Sequence, residues 1–249
     1  MEYRYMGALE NKYFYNQPGE LTLLPPIDVD LSKTALVIID MQYLDAHADH
    51  GVILALSKIA PGSTEYYKER LETVVPAIKE LLISARNMDL RIIHIVVGSK
   101  YRDLRDFNKR MRHWILDLEQ KSGMQDLYWV GAPGFNILDE LAPEDGETII
   151  RKTSYGAFNS TNIENQLREM DINTLMVTGC VTNFCVETTV RDAADRGFSV
   201  MVVDDAVAGF SPESHNATLH SLRSGFAAII RTSQDAIALL KDVKNESKF

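Results

Sequence analysis

Cysteine is scarce, two in 249 residues. Two thiols cannot build a disulfide scaffold, so the sequence predicts a reducing, cytoplasmic setting. Basic residues are the minority charge, 26 Lys and Arg against 35 Asp and Glu, for a formal net charge of −9. A negative surface attracts neither nucleic acid nor anionic membrane, and neither is expected as a partner. No apolar run approaches the ~20 residues of a membrane span. The opening MEYRYMGALENKYFYNQ has no apolar stretch of the kind a signal peptide needs. Internal repeats, Ser/Gly linkers, a G-x-S-x-G elbow, a Walker loop and a G-x-G-x-x-G after the first strand are all missing. The Cys180/Cys185 spacing matches no common zinc pattern. What is present is an ordinary globular composition, 45% hydrophobic and 24% charged, at a length that one α/β domain fills.

The first 32 residues read as an N-terminal extension, ending in a turn-rich LLPPIDVD, and residues 33–249 as one domain. Short apolar runs then alternate with helical patterns. Ala35–Ile39, Arg91–Val97, Glu147–Ile150, Leu175–Thr178, Ser199–Val203 and Phe226–Ile230 are the six expected strands, and runs such as ALVII suit strands buried on both faces. Between the first two, Leu71, Val74, Val75, Ile78, Leu81, Leu82 and Ala85 recur at helical spacing. Thr161 with Glu164 predicts a capping box for a helix to Met170. Val186, Thr189, Val190 and Ala193 mark a helix that stops near Gly197, Ser211–Pro212 opens another, and a last one runs to about Lys241. Alternation of this kind predicts a three-layer αβα sandwich on a parallel sheet. Ligands in such sheets sit outside the carboxyl ends of the strands, which points to Asp40, Gly98, Arg151–Lys152 and Gly179–Cys185. The segment 98–146 is long for one crossover. Its basic, aromatic part, from Lys100 to Trp114, suits a substrate wall or an interface.

Each strand-end residue admits more than one reading. Asp40 ends an apolar strand, where an unpaired carboxylate is costly, so it needs either a partner or a loop-capping role. Lys152, taken alone, reads as a solvated lysine. Thr182 is expected to cap the helix that follows the fourth strand, placing Cys185 in its first turn. Free N–H groups and the positive end of the macrodipole favour a thiolate there; core packing is the alternative. Cys180 reads as a small buried hydrophobe. Asp45, His47, Asp49 and His50 form a D-x-H-x-D-H cluster, either a metal set or a hydrogen-bonded polar loop. His94 is expected in the core, and His215 and His220 on a surface helix.

ALVIIDMQ around Asp40, GETIIRKTSYGAF around Lys152 and VTGCVTNFCVETTVRDAADRG around Cys185 together resemble the isochorismatase-like cysteine hydrolases. The resemblance covers about residues 33–240 and implies a six-stranded, mainly parallel, Rossmann-like α/β fold. It further implies a homo-oligomer, dimer or tetramer. By it, Cys185 matches the nucleophile, Asp40 the general base and Lys152 the third catalytic residue. It also implies an oxyanion hole from the backbone N–H groups of Val181 and Cys185, with a cis Cys180–Val181 peptide. Gln42, Tyr155, Phe158, Asn183, Phe184 and Arg105 are the substrate-binding candidates, and no cofactor or catalytic metal is expected. The family's C–N hydrolases act through a thioester, and the N-terminal extension with the basic 100–112 segment looks most like the ureido-type members. A small linear carbamoyl or ureido compound is thus the expected substrate. A nicotinamidase-like or other small-amide hydrolase, and a catalytically silent binding protein, are the alternatives.

Overall fold

The computed structural model describes residues 10–15, 27 and 29–246. Its centre is a six-stranded parallel sheet of β1 (Thr34–Ile39), β2 (Arg91–Val97), β3 (Thr148–Lys152), β4 (Thr174–Cys180), β5 (Ser199–Ala208) and β6 (Ala228–Ile230). The spatial order is β3-β2-β1-β4-β5-β6, every pair parallel. β1 lies at the centre because TALVII is apolar on both faces and every residue of it is buried. Successive side chains enter opposite layers: Leu36 and Ile38 join one core, and Ala35, Val37 and Ile39 the other.

The helices, in chain order, are α1 (Glu10–Tyr13), α2 (Tyr43–Ala46), α3 (Gly51–Ile59), α4 (Glu65–Arg86), α5 (Lys109–Ser122), α6 (Ile163–Glu169), α7 (Glu187–Asp195), α8 (Pro212–Arg223) and α9 (Ser233–Glu246). The apolar stripe of α4 packs with α9 on one face of the sheet, and α6, α7 and α8 cover the other. A smaller core joins α3 and α5 to Val97, Leu104, Phe107 and Tyr128. In this way the long 98–146 segment folds back over the carboxyl end of β2, with Ser99 bridging Trp129.

Several expectations shift by a residue or more. β3, β4 and β5 run further than their apolar cores suggest, so Lys152 and Cys180 are the last residues of strands rather than residues beyond them. β5 reaches Ala208 by way of a register shift against β4 between Val177 and Gly179. Phe226 falls outside β6, against the Arg191 guanidinium. The capping box does not form, because Asn162 occupies the cap position, without a side-chain capping bond, and Glu164 lies one position early. Thr161 accepts from the Ile163 N–H, and Glu164 pairs with Arg168 and Arg196. Most of the 1–32 extension lies outside the described residues. Of those described, Tyr13, Phe14, Ile27 and Val29 are buried in the domain's core.

Candidate active site

Three strand ends converge on one buried cluster. Asp40 leaves β1 in the left-handed region at φ 52°, a conformation that Asp tolerates better than most side chains. Its N–H donates to the Ile95 carbonyl at 2.9 Å. That turn aims the carboxylate at Lys152, whose Nζ lies 2.8 Å from Asp40 Oδ2, 3.3 Å from Cys185 Sγ and 3.0 Å from the Ser154 carbonyl. Lys152 is fully buried and Asp40 almost so, at 0% and 1% exposure. A lysine that reads as solvated in isolation is therefore the charge partner of both groups.

Burial opposes the thiolate that the start of a helix favours. Burial pushes the Cys185 thiol well above its ordinary pKa; the neighbouring Asp40 raises it again, and Lys152 only partly opposes them. Burial also raises Asp40, against the pull of Lys152 and of a hydrogen bond with Cys185. Desolvation works against the Lys152 ammonium, but Asp40 and the thiol outweigh it and hold it charged. Lys152 thus holds the Asp40 carboxyl beside a thiol whose ionisation burial opposes.

The turn that carries Cys185 also departs from expectation. Thr182–Val186 forms a π-type turn before α7, with the Val186 N–H reaching back to the Val181 carbonyl at 3.3 Å. Thr182 does not cap it; Val181 occupies the cap position, in extended conformation. The Thr182 hydroxyl instead meets His215 Nδ1 at 3.0 Å, and His215 Nε2 meets Asp204 Oδ1 at 2.9 Å. Arg70 completes the network, its guanidinium 3.0 Å from Asp204 Oδ1 and its Nε donating to the Val207 carbonyl at 3.2 Å. His215 is consequently buried on the inner side of α8, not on a surface helix. The Cys180–Val181 peptide is cis, as expected.

The remaining candidates divide by what they touch. Tyr155 stacks on Phe184 with centroids 5.6 Å apart, and Phe184 is exposed, so the pair forms an aromatic rim next to the nucleophile. Asn183 Oδ1 is buried without a hydrogen-bond partner among the described residues. Gln42 is buried with its amide committed to backbone, accepting from the Val97 N–H and donating to the Phe135 carbonyl, each at 2.7 Å. It ties the 133–135 turn to the end of β2. Phe158 packs into the core beside Phe198. Arg105 is exposed, paired with Asp103 at 2.9 Å and placed over the Tyr101 ring.

Sequence reading missed Tyr128, and saw Asp45 only as a member of the D-x-H-x-D-H cluster. The Tyr128 hydroxyl donates to Asp45 Oδ1 at 3.3 Å, and that of Tyr67 donates to the Asp45 carbonyl at 2.9 Å. Burial, reinforced by Asp40, raises the Asp45 carboxyl to about 7. The D-x-H-x-D-H cluster therefore splits. Asp45 turns to Tyr128, while the rings of Tyr43, His47 and His50 pack on one another, His50 edge-on to the other two. Among the described residues no three His, Cys, Asp or Glu side chains assemble as a metal set.

The chain is similar to known proteins across this whole region. It is 27% identical to the ureidoacrylate amidohydrolase RutB of Stutzerimonas stutzeri over 219 residues, 85% of each chain. It is 39% identical to nicotinamidase 3 of Arabidopsis thaliana over 107 residues, 42% of this chain and 54% of that one. A solved cysteine hydrolase from Pseudomonas syringae superposes with a TM-score of 0.71 at 24% identity, over 91% of this chain and all of that one, and shows the shared fold. An isochorismatase family protein from Desulfovibrio vulgaris does so at 0.65 and 27% identity, over 86% of this chain and 98% of that one. The isochorismatase domain model matches residues 34–234, and with the sheet order and the site between the same bounds the chain belongs to the isochorismatase family.

Proposed function

We propose that the protein is a cysteine-dependent amidohydrolase that cleaves a C–N bond of a small linear carbamoyl or ureido compound. The observation that carries this reading is the buried contact of Lys152 Nζ with both Asp40 Oδ2 and Cys185 Sγ, at 2.8 and 3.3 Å. A carboxylate beside a neutral thiol is a general base next to a nucleophile. As the Cys185 sulfur bonds to the substrate carbonyl carbon, its proton passes to Asp40 and the oxygen takes up negative charge. The backbone N–H groups of Val181 and Cys185 receive that oxygen; loss of one such donor typically costs about 2.7–4 kcal/mol. Collapse breaks the C–N bond, and Asp40 returns its proton to the departing nitrogen. Water, deprotonated in turn by Asp40, then cleaves the thioester and restores the thiol. Lys152 stays charged throughout and balances whichever anion is present. The amidohydrolase relatives support C–N hydrolysis, and the RutB likeness over 85% of the chain supports a ureido substrate.

The test is loss of substrate and release of ammonia on a panel of ureidoacrylate, N-carbamoyl amino acids, biuret, triuret, maleamate and nicotinamide. The expected result is turnover of the carbamoyl and ureido members and none by Cys185→Ala. Turnover that persists in that variant, or inactivity on every amide, overturns the reading.

A further inference from the structure

The proposed mechanism uses Asp40, Lys152 and Cys185 and leaves one neighbouring carboxylate without a task. Asp45 lies five residues beyond Asp40, in the short α2. The Cys180 thiol reaches the carbonyls of both Asp40 and Asp45, at 3.2 and 3.9 Å, which sets the two acids beside each other. Lys152 is fully engaged by Asp40, Cys185 and Ser154, and Asp45 forms no ion pair among the described residues. One oxygen, Oδ1, is held by Tyr128, and Oδ2 has no hydrogen bond among the described residues. Asp45 is only partly buried, unlike Asp40 and Lys152. Tyr128 is itself braced, edge-on to Phe107 and Trp114 at 5.8 and 6.3 Å.

A carboxylate kept in a desolvated place without a cation is costly unless something supplies N–H donors. A urea-type group does so, since its two N–H bonds on one edge match the two oxygens of a carboxylate. A plain alkyl amide has a CH2 where the second N–H would be. We propose that Asp45, held by the Tyr128 hydroxyl, is a specificity-determining acceptor that takes the N–H donors of a ureido substrate next to the scissile carbonyl. This deepens the amidohydrolase reading and rests on it. The 98–146 segment then has a role in the site, because it delivers Tyr128 over the end of β2.

Two substrates isolate the contact: N-carbamoyl-β-alanine and glutaric monoamide, which share a skeleton and differ by N–H against CH2. kcat and KM for both are measured on the parent, Asp45→Asn and Tyr128→Phe. Alkylation of Cys185 by iodoacetamide reports whether each variant keeps its site. A charge-assisted hydrogen bond is worth about 1.5–3 kcal/mol, so Asp45→Asn should lower the ureido-to-amide ratio of kcat/KM roughly 10- to 100-fold, mainly through KM. Tyr128→Phe should lower the ratio in the same direction by a smaller factor. An unchanged ratio in both variants, or a parent that prefers the plain amide, overturns the assignment of Asp45 and leaves the amidohydrolase reading standing. A parent inactive on both compounds and on the wider amide panel removes both. Should Asp45→Asn fail to fold, the Tyr128→Phe ratio decides alone.

Discussion

Two buried polar clusters flank the turn that carries Cys185, and they differ in how well their atoms are satisfied. On one side, Asp40 meets Lys152 as an ion pair, yet both carboxyl oxygens lack a well-aligned hydrogen bond. On the other, both ring nitrogens of His215 have partners, and Arg70 anchors Asp204 and the backbone of β5. Their carboxyls shift in opposite directions. Burial raises Asp40, whereas the His215 bond, against some burial cost, holds Asp204 below the usual carboxylate range. Under-satisfied groups are available to a substrate, and satisfied ones hold position. The difference separates a reacting cluster from the one that holds its nucleophile still.

The largest expected effect breaks the reacting side. Cys185→Ala should lower turnover by about 10³-fold or more with an unchanged melting curve, by analogy with loss of a covalent nucleophile. Cys180→Ala, five residues away, should keep substantial activity, because the Cys180 thiol meets only backbone carbonyls, those of Asp40 at 3.2 Å and Asp45 at 3.9 Å, among the described hydrogen bonds. Steady-state rates and thermal melts check both; a dead Cys180 variant beside an active Cys185 one would reverse the assignment.

Next in size is Lys152→Met. It strands a buried carboxylate, and breaking a buried pair costs about 3–5 kcal/mol. Because Lys152 lowers the Cys185 pKa, its removal should move that pKa further up. In the parent, the iodoacetamide rate at Cys185 should still be climbing above the ordinary thiol range, and the variant's curve should lie at higher pH. Mass spectrometry across a pH series reads this, and coincident curves would separate Lys152 from the thiol.

The supporting side should yield less. Thr182→Val leaves His215 Nδ1 without a partner, a penalty of about 1–3 kcal/mol. It should lower kcat more than it raises KM, and Thr182→Ser should restore kcat. Equal behaviour of the Val and Ser variants would deny the hydroxyl any positioning role. A subtler contrast comes from acid. A carboxyl with a depressed folded pKa stabilises above its unfolded value and loses that contribution as pH falls through the folded one. For Asp204 the unfolded value is near 3.8, so Asp204→Asn should cost stability at neutral pH and flatten the decline below pH 4. Urea midpoints from pH 7 to 2 give the comparison. The smallest effect belongs to Arg105→Ala. Exposed ion pairs contribute about 0–1 kcal/mol, so kcat/KM should change less than about twofold.

Most of the fold is legible in the sequence, for a physical reason. Strands buried on both faces must be continuously apolar, and runs such as ALVII and RIIHIVV have no other plausible use. Asp40, Lys152 and Cys185 could be located because strand ends are where such sheets bind ligands. Less visible is anything fixed by neighbours distant in sequence. Asp45 and Tyr128 are 83 residues apart, and their pairing leaves no local pattern. His215 follows a polar, capping start to α8, and only Thr182 and Asp204 explain its burial. The start of a helix, which favours a thiolate, is a local feature, whereas the burial and the Asp40 charge that oppose it at Cys185 are not.

Gly179 gives the site an unexpected genetic signature. It sits at φ 109°, one strand across from Ile39, where a Cβ would stand 2.1 Å from the Ile39 carbonyl oxygen. That residue directly precedes Asp40, and Gly179 directly precedes Cys180 and the nucleophile turn, so any side chain there pushes β1 and β4 apart at the point where base and nucleophile are set against each other. A saturation screen scored on turnover would thus rank Gly179 among the intolerant positions, alongside Cys185, although it carries no functional group. The sharpest way to tell the two apart is chemical rescue, since a small exogenous thiol or amine can replace a missing nucleophile or cation but cannot take away a Cβ.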